Sequence, residues 1–440
     1  MIRGILLASF FLVLALDELL NIGLLITVGL SAKNAFLFML LIAIALNRAA
    51  ESGRDRLQFP ELHGAFFGLI GIACLWVFFR HFVSGYPQPF TLFQDLALVK
   101  GGLLDMYLMM LVFLYGVTSR EAAVGFMKLI LLIVSAMALV TTLDIMGMPN
   151  MGLVSYRNER LEGPLGQANE YAVFLTFFLP ILLLAAYAEG SRVLRLLYAL
   201  GALGSFALIM QTGSRSGFLS LPVGCLLAAL WLRGGYPMGV LLRRGGVMAT
   251  IGVVVVAALF AYDPAVRDLV TARLDVTTSA GSLDQMSAGR TFIWAQGLEY
   301  QFARPWSLIT GLGWGSFTTR IGIPAHSAYM NIFFSLGVFG LVLFLGLVLR
   351  TLLLLREAFF SDSARSDERL FLAGGVIAWF ALTVAMVTGT IYTTWLFVWP
   401  LTGLLLRLVY CIREDSRVPI ATGTEEVTPA RDPVPQGGTS

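Results

Sequence analysis

Charge is scarce in this 440-residue chain: only 13% of its residues are Asp, Glu, Lys or Arg, against 58% hydrophobic, and the mean hydropathy is +0.81. That shortage excludes a soluble globular domain, in which about a quarter of residues are charged, and describes an all-α polytopic membrane protein. The net charge of +3 is small, and no basic run is interleaved with aromatics, so nucleic acid is not an expected partner. Cysteine is nearly absent. Cys74, Cys225 and Cys411 all sit in apolar runs, and an odd number so placed argues against a disulfide framework or a thiolate metal site. No Asp-x-Asp pair occurs in the longest polar segment and no Cys/His cluster has zinc spacing, so neither a metal nor a cofactor is expected.

What is present is apolar sequence in blocks of about 17 to 25 residues, the length that spans a bilayer. Such blocks predict about twelve helices, near 4–30, 33–47, 62–82, 95–118, 122–147, 169–188, 193–213, 216–232, 245–262, 325–349, 369–390 and 392–411. The first reads as a retained signal anchor, because Asp17 and Glu18 follow it without a small-residue cleavage site. Arginines in alternate short loops (Arg48, Arg54, Arg56; Arg120; Arg192, Arg195; Arg233, Arg243, Arg244; Arg350, Arg356, Arg365, Arg369) mark those loops as cytoplasmic. The chain then divides into spanning helices over 1–262, one long outer loop over 263–324, further spanning helices over 325–411 and a disordered cytoplasmic tail over 412–440, too poor in apolar residues to fold alone. Both termini are expected inside.

The outer loops should be poor in arginine, and two short ones are not. SYRNERLEGPLGQANEYA carries Arg157 and Arg160, and QTGSRSG carries Arg215. Arg215 stands among Gly213, Ser214, Ser216 and Gly217 at the head of a helix. Small residues there let an anion approach unsatisfied backbone N–H groups, and a guanidinium can grip two phosphate oxygens at once. The plain alternative is a helix cap whose arginine snorkels to the interface. Within the long loop, SAGRTFIWAQGLEYQF predicts a short helix starting between Ser287 and Thr291. Its Trp294, Leu298 and Phe302 would form one apolar stripe on the bilayer surface, with Arg290 at its positive end. GLGWGSF (Gly311–Phe317) reads as a tight turn; with no strand before it, a phosphate-binding loop is a weak alternative.

The chain has three histidines. His63 and His81 flank the third predicted span and read as interfacial. His326, in PAHSAYMN beside the arginine-bearing loop, is placed for general-base work near neutral pH; a helix-cap histidine is the structural alternative.

In order, GPLGQANEYA, SRSG, SAGRTFIW with GLGWGSF, and AHSAYM resemble the bacterial O-antigen ligase and polymerase superfamily, membrane glycosyltransferases of the GT-C type. The resemblance runs over most of the chain. It implies transfer of a glycan from an undecaprenyl-diphosphate donor to a sugar hydroxyl at the periplasmic face of the inner membrane, without metal or nucleotide sugar. By that resemblance Arg215 and Arg290 bind the donor diphosphate and His326 deprotonates the acceptor, while Arg157 and Arg160 match variable basic residues of the outer loop. The acceptor is lipid A-core for a ligase or another lipid-linked repeat for a polymerase. A transporter or flippase of a lipid-linked glycan is the rival, with Asp95, Lys100 and Asp105 as its candidate charges.

Overall fold

The computed structural model describes residues 6–10, 12–13, 25–27, 30–50, 58–83, 90–148, 154–157, 160–234, 254, 257, 260–261, 264–278, 287 and 289–389, together with 398–417. The expected spans at 4–30 and 245–262 and the tail from 418 onward fall wholly or largely outside these residues. Apart from two minimal hairpins, the described chain is helical: α1 (Ala32–Ala50), α2 (Pro60–Phe78, continued by a π turn at Phe79–Val83), α3 (Leu92–Val99), a second π turn (Lys100–Leu104), α4 (Asp105–Gly116), α5 (Arg120–Ile145), α6 (Ala168–Ala188), α7 (Arg192–Thr212) and α8 (Arg215–Trp231). The loop contributes α9 (Pro264–Thr278), α10 (Arg290–Phe302), α11 (Pro305–Thr310) and α12 (Ser316–Ile321), before α13 (Ala328–Phe359), α14 (Ser366–Ala385) and α15 (Val398–Arg417).

Among the described residues, seven helices are long and apolar enough to cross a membrane, and two shorter apolar helices, Asn34–Leu46 and Arg215–Trp231, accompany them. The chain is an all-α polytopic membrane protein. Helix ends follow the local chemistry: Pro60 and Pro305 occupy first turns, where the missing N–H costs nothing, and Ser119 caps α5 by accepting from the Ala122 N–H at 3.1 Å. The last helix runs from Val398 to Arg417, several residues beyond the expected 392–411 block.

The arginines of the alternate loops converge at one end of the bundle. Arg120, at the start of α5, pairs with Glu368 and, at 2.7 Å, with Asp415. Arg350 pairs with Glu61 at 2.6 Å, Arg413 with Glu357 and Arg365 with Glu121 at 3.1 Å. Arg356 donates to the Trp231 carbonyl at 3.0 Å. These contacts join the first turns of α2, α5 and α14 to the last turns of α8, α13 and α15, as expected if those ends share one membrane face.

One histidine departs from expectation. His63 is 1% exposed, with both ring nitrogens 2.8 Å from tyrosine hydroxyls, those of Tyr107 and Tyr115. It is buried rather than interfacial, because each polar ring atom has a partner inside the bundle.

Helix α13 is broken within its apolar stretch. Gly337 has φ 67° and ψ −166°, a conformation essentially confined to glycine. The break frees carbonyls, and the turn Gly311–Gly315 fills the gap: Leu312 N–H donates to the Phe334 carbonyl at 3.0 Å and Gly313 N–H to that of Ser335 at 2.9 Å. Irregular backbone is tolerated at membrane depth only where protein satisfies it in this way. On its other side the turn meets α2 and the second π turn. Arg80 donates to the Leu312 carbonyl at 3.1 Å, the Trp76 indole to that of Thr310 at 2.6 Å, and Trp314 packs where a side chain on Gly102 would stand.

Any Cβ at residue 337 would collide with the Ile309 carbonyl. Gly337→Ala is expected to lower the thermal unfolding midpoint in detergent, since the strained backbone alone costs about 1–3 kcal/mol. A variant as stable as the parent would show that α13 runs unbroken.

Candidate active site

At the end of the bundle opposite the arginine–carboxylate pairs, three segments distant in sequence meet. Arg215 is the first residue of α8, Arg290 the first of α10, and His326 lies two residues before α13.

The turn that presents Arg215 is fixed from below. Gly213 closes α7 at φ 56°, and Ser214 caps α8. Arg160 donates through Nε to the Thr212 carbonyl at 2.8 Å and through Nη2 to Asn169 Oδ1 at 2.7 Å. Ser214 Oγ donates to the same Oδ1 at 3.0 Å and lies 2.9 Å from Ser216 Oγ. Arg160 thus buttresses the turn from which Arg215 projects. The backbone of Arg157 pairs with that of Arg160 in a two-residue hairpin; its side chain lies outside the described residues.

Arg290 is held by the packing of its helix against α13. Gly297 accommodates the Phe317 ring, and that ring meets Phe334 edge-on at 4.8 Å. Gln301 donates to the Phe333 carbonyl at 3.2 Å. Trp294 gives its indole N–H to the Ala325 carbonyl at 2.8 Å, so this member of the expected bilayer stripe is turned toward the protein, next to His326. Phe302 is exposed as expected.

His326 has φ 49°, a left-handed conformation uncommon for a residue with a side chain though less so for histidine than for most. Its neighbours enforce it. Ala325 and Ser327 are buried, Ala328 N–H reaches the Met386 and Gly389 carbonyls at 2.9 Å, and the Tyr329 hydroxyl donates to the Thr383 carbonyl at 2.8 Å. Strain of about 1–3 kcal/mol is thereby held at His326.

Arg290 feels Arg215, and His326 feels Arg290. Burial, and then the Arg215 charge, push the Arg290 guanidinium below its ordinary value. Burial, and then the Arg290 charge, push His326 below the usual imidazole range. Among the described residues Arg290 has no carboxylate partner. Two half-buried guanidiniums that repel each other favour an anion between them, and a neutral imidazole beside them can accept a proton. Among the described residues no group of three or more His, Cys, Asp or Glu could hold a metal.

Sequence reasoning missed two features here. Asn169 lay in a quoted motif without a role, although an amide between two arginine-bearing turns is a natural junction. The pair of Arg80 with Asp95, at 2.7 Å and with Asp95 1% exposed, was hidden because Arg80 sat at the edge of an apolar block. His81, expected at the interface, also reaches Asp95, at 2.8 Å.

These features define a multi-pass α-helical protein with a cationic cluster and a histidine at one end of the bundle. Residues 200–345, which run from α7 into α13 and contain Arg215, Arg290 and His326, match the family described as O-antigen ligase. That match supports assignment of the chain to the O-antigen ligase and polymerase superfamily, whose members are glycosyltransferase-like enzymes. No curated protein matches the chain.

Histidine NMR on selectively labelled protein is expected to find His326 titrating below the ordinary imidazole value. In Arg290→Met the midpoint should rise, since loss of a neighbouring positive charge favours the imidazolium. An unchanged midpoint would separate the two side chains.

Proposed function

We propose that this protein is an inner-membrane glycosyltransferase that moves a glycan from undecaprenyl diphosphate to a sugar hydroxyl at the periplasmic face, with lipid A-core as acceptor, as in an O-antigen ligase. The observation that carries the proposal is the meeting of Arg215, Arg290 and His326 at the bundle end away from the arginine–carboxylate pairs, within the segment that matches the ligase family.

In this reading the donor diphosphate lies against Arg215 and Arg290, with Arg160 and Arg157 extending the basic surface. The acceptor hydroxyl oxygen attacks the anomeric carbon, its proton passes to the neutral His326 imidazole, and the bond from that carbon to the diphosphate oxygen breaks, leaving its electron pair on the phosphate. Charge grows on the leaving diphosphate as the bond lengthens, so cations fixed there lower the barrier more than they stabilise the ground state. Direct displacement inverts the anomeric configuration. The site needs no metal for this, because the guanidiniums supply the positive charge. The charges a transporter would have used are engaged internally: Asp95 with Arg80 and His81, and Lys100 with Asp105 at 2.8 Å.

Purified His326→Ala is expected to fold and bind donor while losing about 10²–10⁴-fold in transfer rate. Arg215→Lys and Arg290→Lys keep the charge but lose the two-pronged grip, so turnover should drop at whichever position contacts two phosphate oxygens. Parental kinetics in all three variants would remove these residues from the mechanism.

The acceptor is decided in a deletion strain. A ligase deletion leaves long glycans on undecaprenyl diphosphate and bare lipopolysaccharide core. Core bearing at most one repeat, or loss of a secreted polysaccharide with an unchanged lipopolysaccharide ladder, would assign a polymerase; lipid-linked repeats retained in the cytoplasmic leaflet would assign a flippase.

A further inference from the structure

The residue beneath the Arg215 turn has one half of its chemistry fixed and the other half unused. Asn169 presents a side-chain amide with an acceptor oxygen and two N–H donors. Arg160 has only donors, and its Nη2 stands 2.7 Å from Oδ1. The amide must therefore face Arg160 with its oxygen; the flipped orientation would set N–H against N–H. The second bond to that oxygen, from Ser214 Oγ at 3.0 Å, uses the Ser214 hydroxyl hydrogen. Ser216 Oγ, 2.9 Å away, then has to be the donor to Ser214. The order of protons runs from Ser216 to Ser214 to Asn169, with Arg160 entering from the other side.

This order leaves the Asn169 Nδ2 hydrogens pointing away from both Arg160 and Ser214. Among the described residues they meet no acceptor, and the side chain is only partly buried. It stands one hydrogen bond from Ser214, the neighbour of Arg215 in the chain. We propose that Asn169 is a substrate-binding residue whose Nδ2 donates to a diphosphate oxygen of the lipid-linked donor, while its Oδ1 keeps the Arg215 turn in place. This assignment rests on the diphosphate site proposed above. A neutral donor adds a directed bond where the two guanidiniums supply charge, and its direction is set before the ligand arrives, so little freedom is lost on binding.

The test uses the full-length protein in nanodiscs with sugar-free undecaprenyl diphosphate as the probe. Asn169→Asp retains an acceptor for Arg160 and Ser214 but has no N–H. It should keep the parental thermal midpoint and bind the probe about tenfold or more weakly, the scale of a lost hydrogen bond to a charged group. The added carboxylate also repels the probe, but that repulsion is screened at about 1 M salt, where the Debye length is about 3 Å. A deficit relative to the parent that persists there reports the missing donor. Ser214→Ala removes one structural bond to Oδ1 and leaves the amide, so the larger loss should fall on its thermal midpoint. Parental affinity in Asn169→Asp, or a deficit that vanishes at high salt, would reduce Asn169 to a structural acceptor. Arg215→Ala and Arg290→Ala complete the comparison. If they lose affinity and Asn169→Asp does not, only the Asn169 assignment falls; if they bind as the parent does, the diphosphate site falls and the assignment with it.

Discussion

Two backbone hydrogen bonds, from Leu312 and Gly313 to the carbonyls of Phe334 and Ser335, join the polar loop to a membrane helix, and the geometry of the site depends on them. A helix interrupted in an apolar stretch exposes carbonyls that lipid cannot satisfy. Here the turn Gly311–Gly315 supplies the partners. In doing so it fixes α12, whose Phe317 packs on Phe334 and beneath α10. Arg290 at the head of α10 and His326 at the head of α13 are thereby built on one small rigid unit, with Leu312, Phe317, Ala325 and Phe334 as its core. Side chains carried on loops would otherwise be mobile.

The two ends of the bundle treat arginine in opposite ways. At one end Arg120, Arg350, Arg365 and Arg413 meet carboxylates, which neutralises them and ties helices together; such pairs stabilise modestly where exposed. At the other end the nearby Arg215 disfavours the charge of Arg290. Arg160 is intermediate, since a carbonyl and an amide oxygen accept from it.

Much of the scaffold was legible from residue types alone. Hydropathy located the blocks that became α2 through α8, α13 and α14, because a bilayer imposes length and apolarity together. Arginine spacing anticipated that the first turns of α5 and α14 and the last turns of α13 and α15 would gather. Arg157, Arg160 and Arg215 stood out because their charge opposed that pattern, and Arg290 because it heads a helix of the long loop. The break at Gly337 did not, since a glycine within SLGVFG is ordinary in an apolar helix and only the approaching turn gives it a role. His63 was misplaced for a related reason: nothing in the sequence near residue 63 announces Tyr107 and Tyr115. Asn169 was invisible as a junction because its partners are contributed by a hairpin before it and a helix end more than forty residues later.

The π turns at Phe79–Val83 and Lys100–Leu104 make the chain sensitive to counting. Each holds one residue more than a regular turn would, and one residue corresponds to about 100° of rotation around a helix. Arg80 sits within the first and Asp95 precedes the second, so the facing of this buried pair depends on both irregularities. Loss of one residue from Lys100–Leu104 would give a more regular helix of unchanged hydropathy while swinging Asp95 away from Arg80 and unseating Trp314 from Gly102. For this segment, tolerance to substitution and tolerance to deletion are separate properties: the membrane reads its composition, whereas the turn Gly311–Gly315 packed against it reads its residue count.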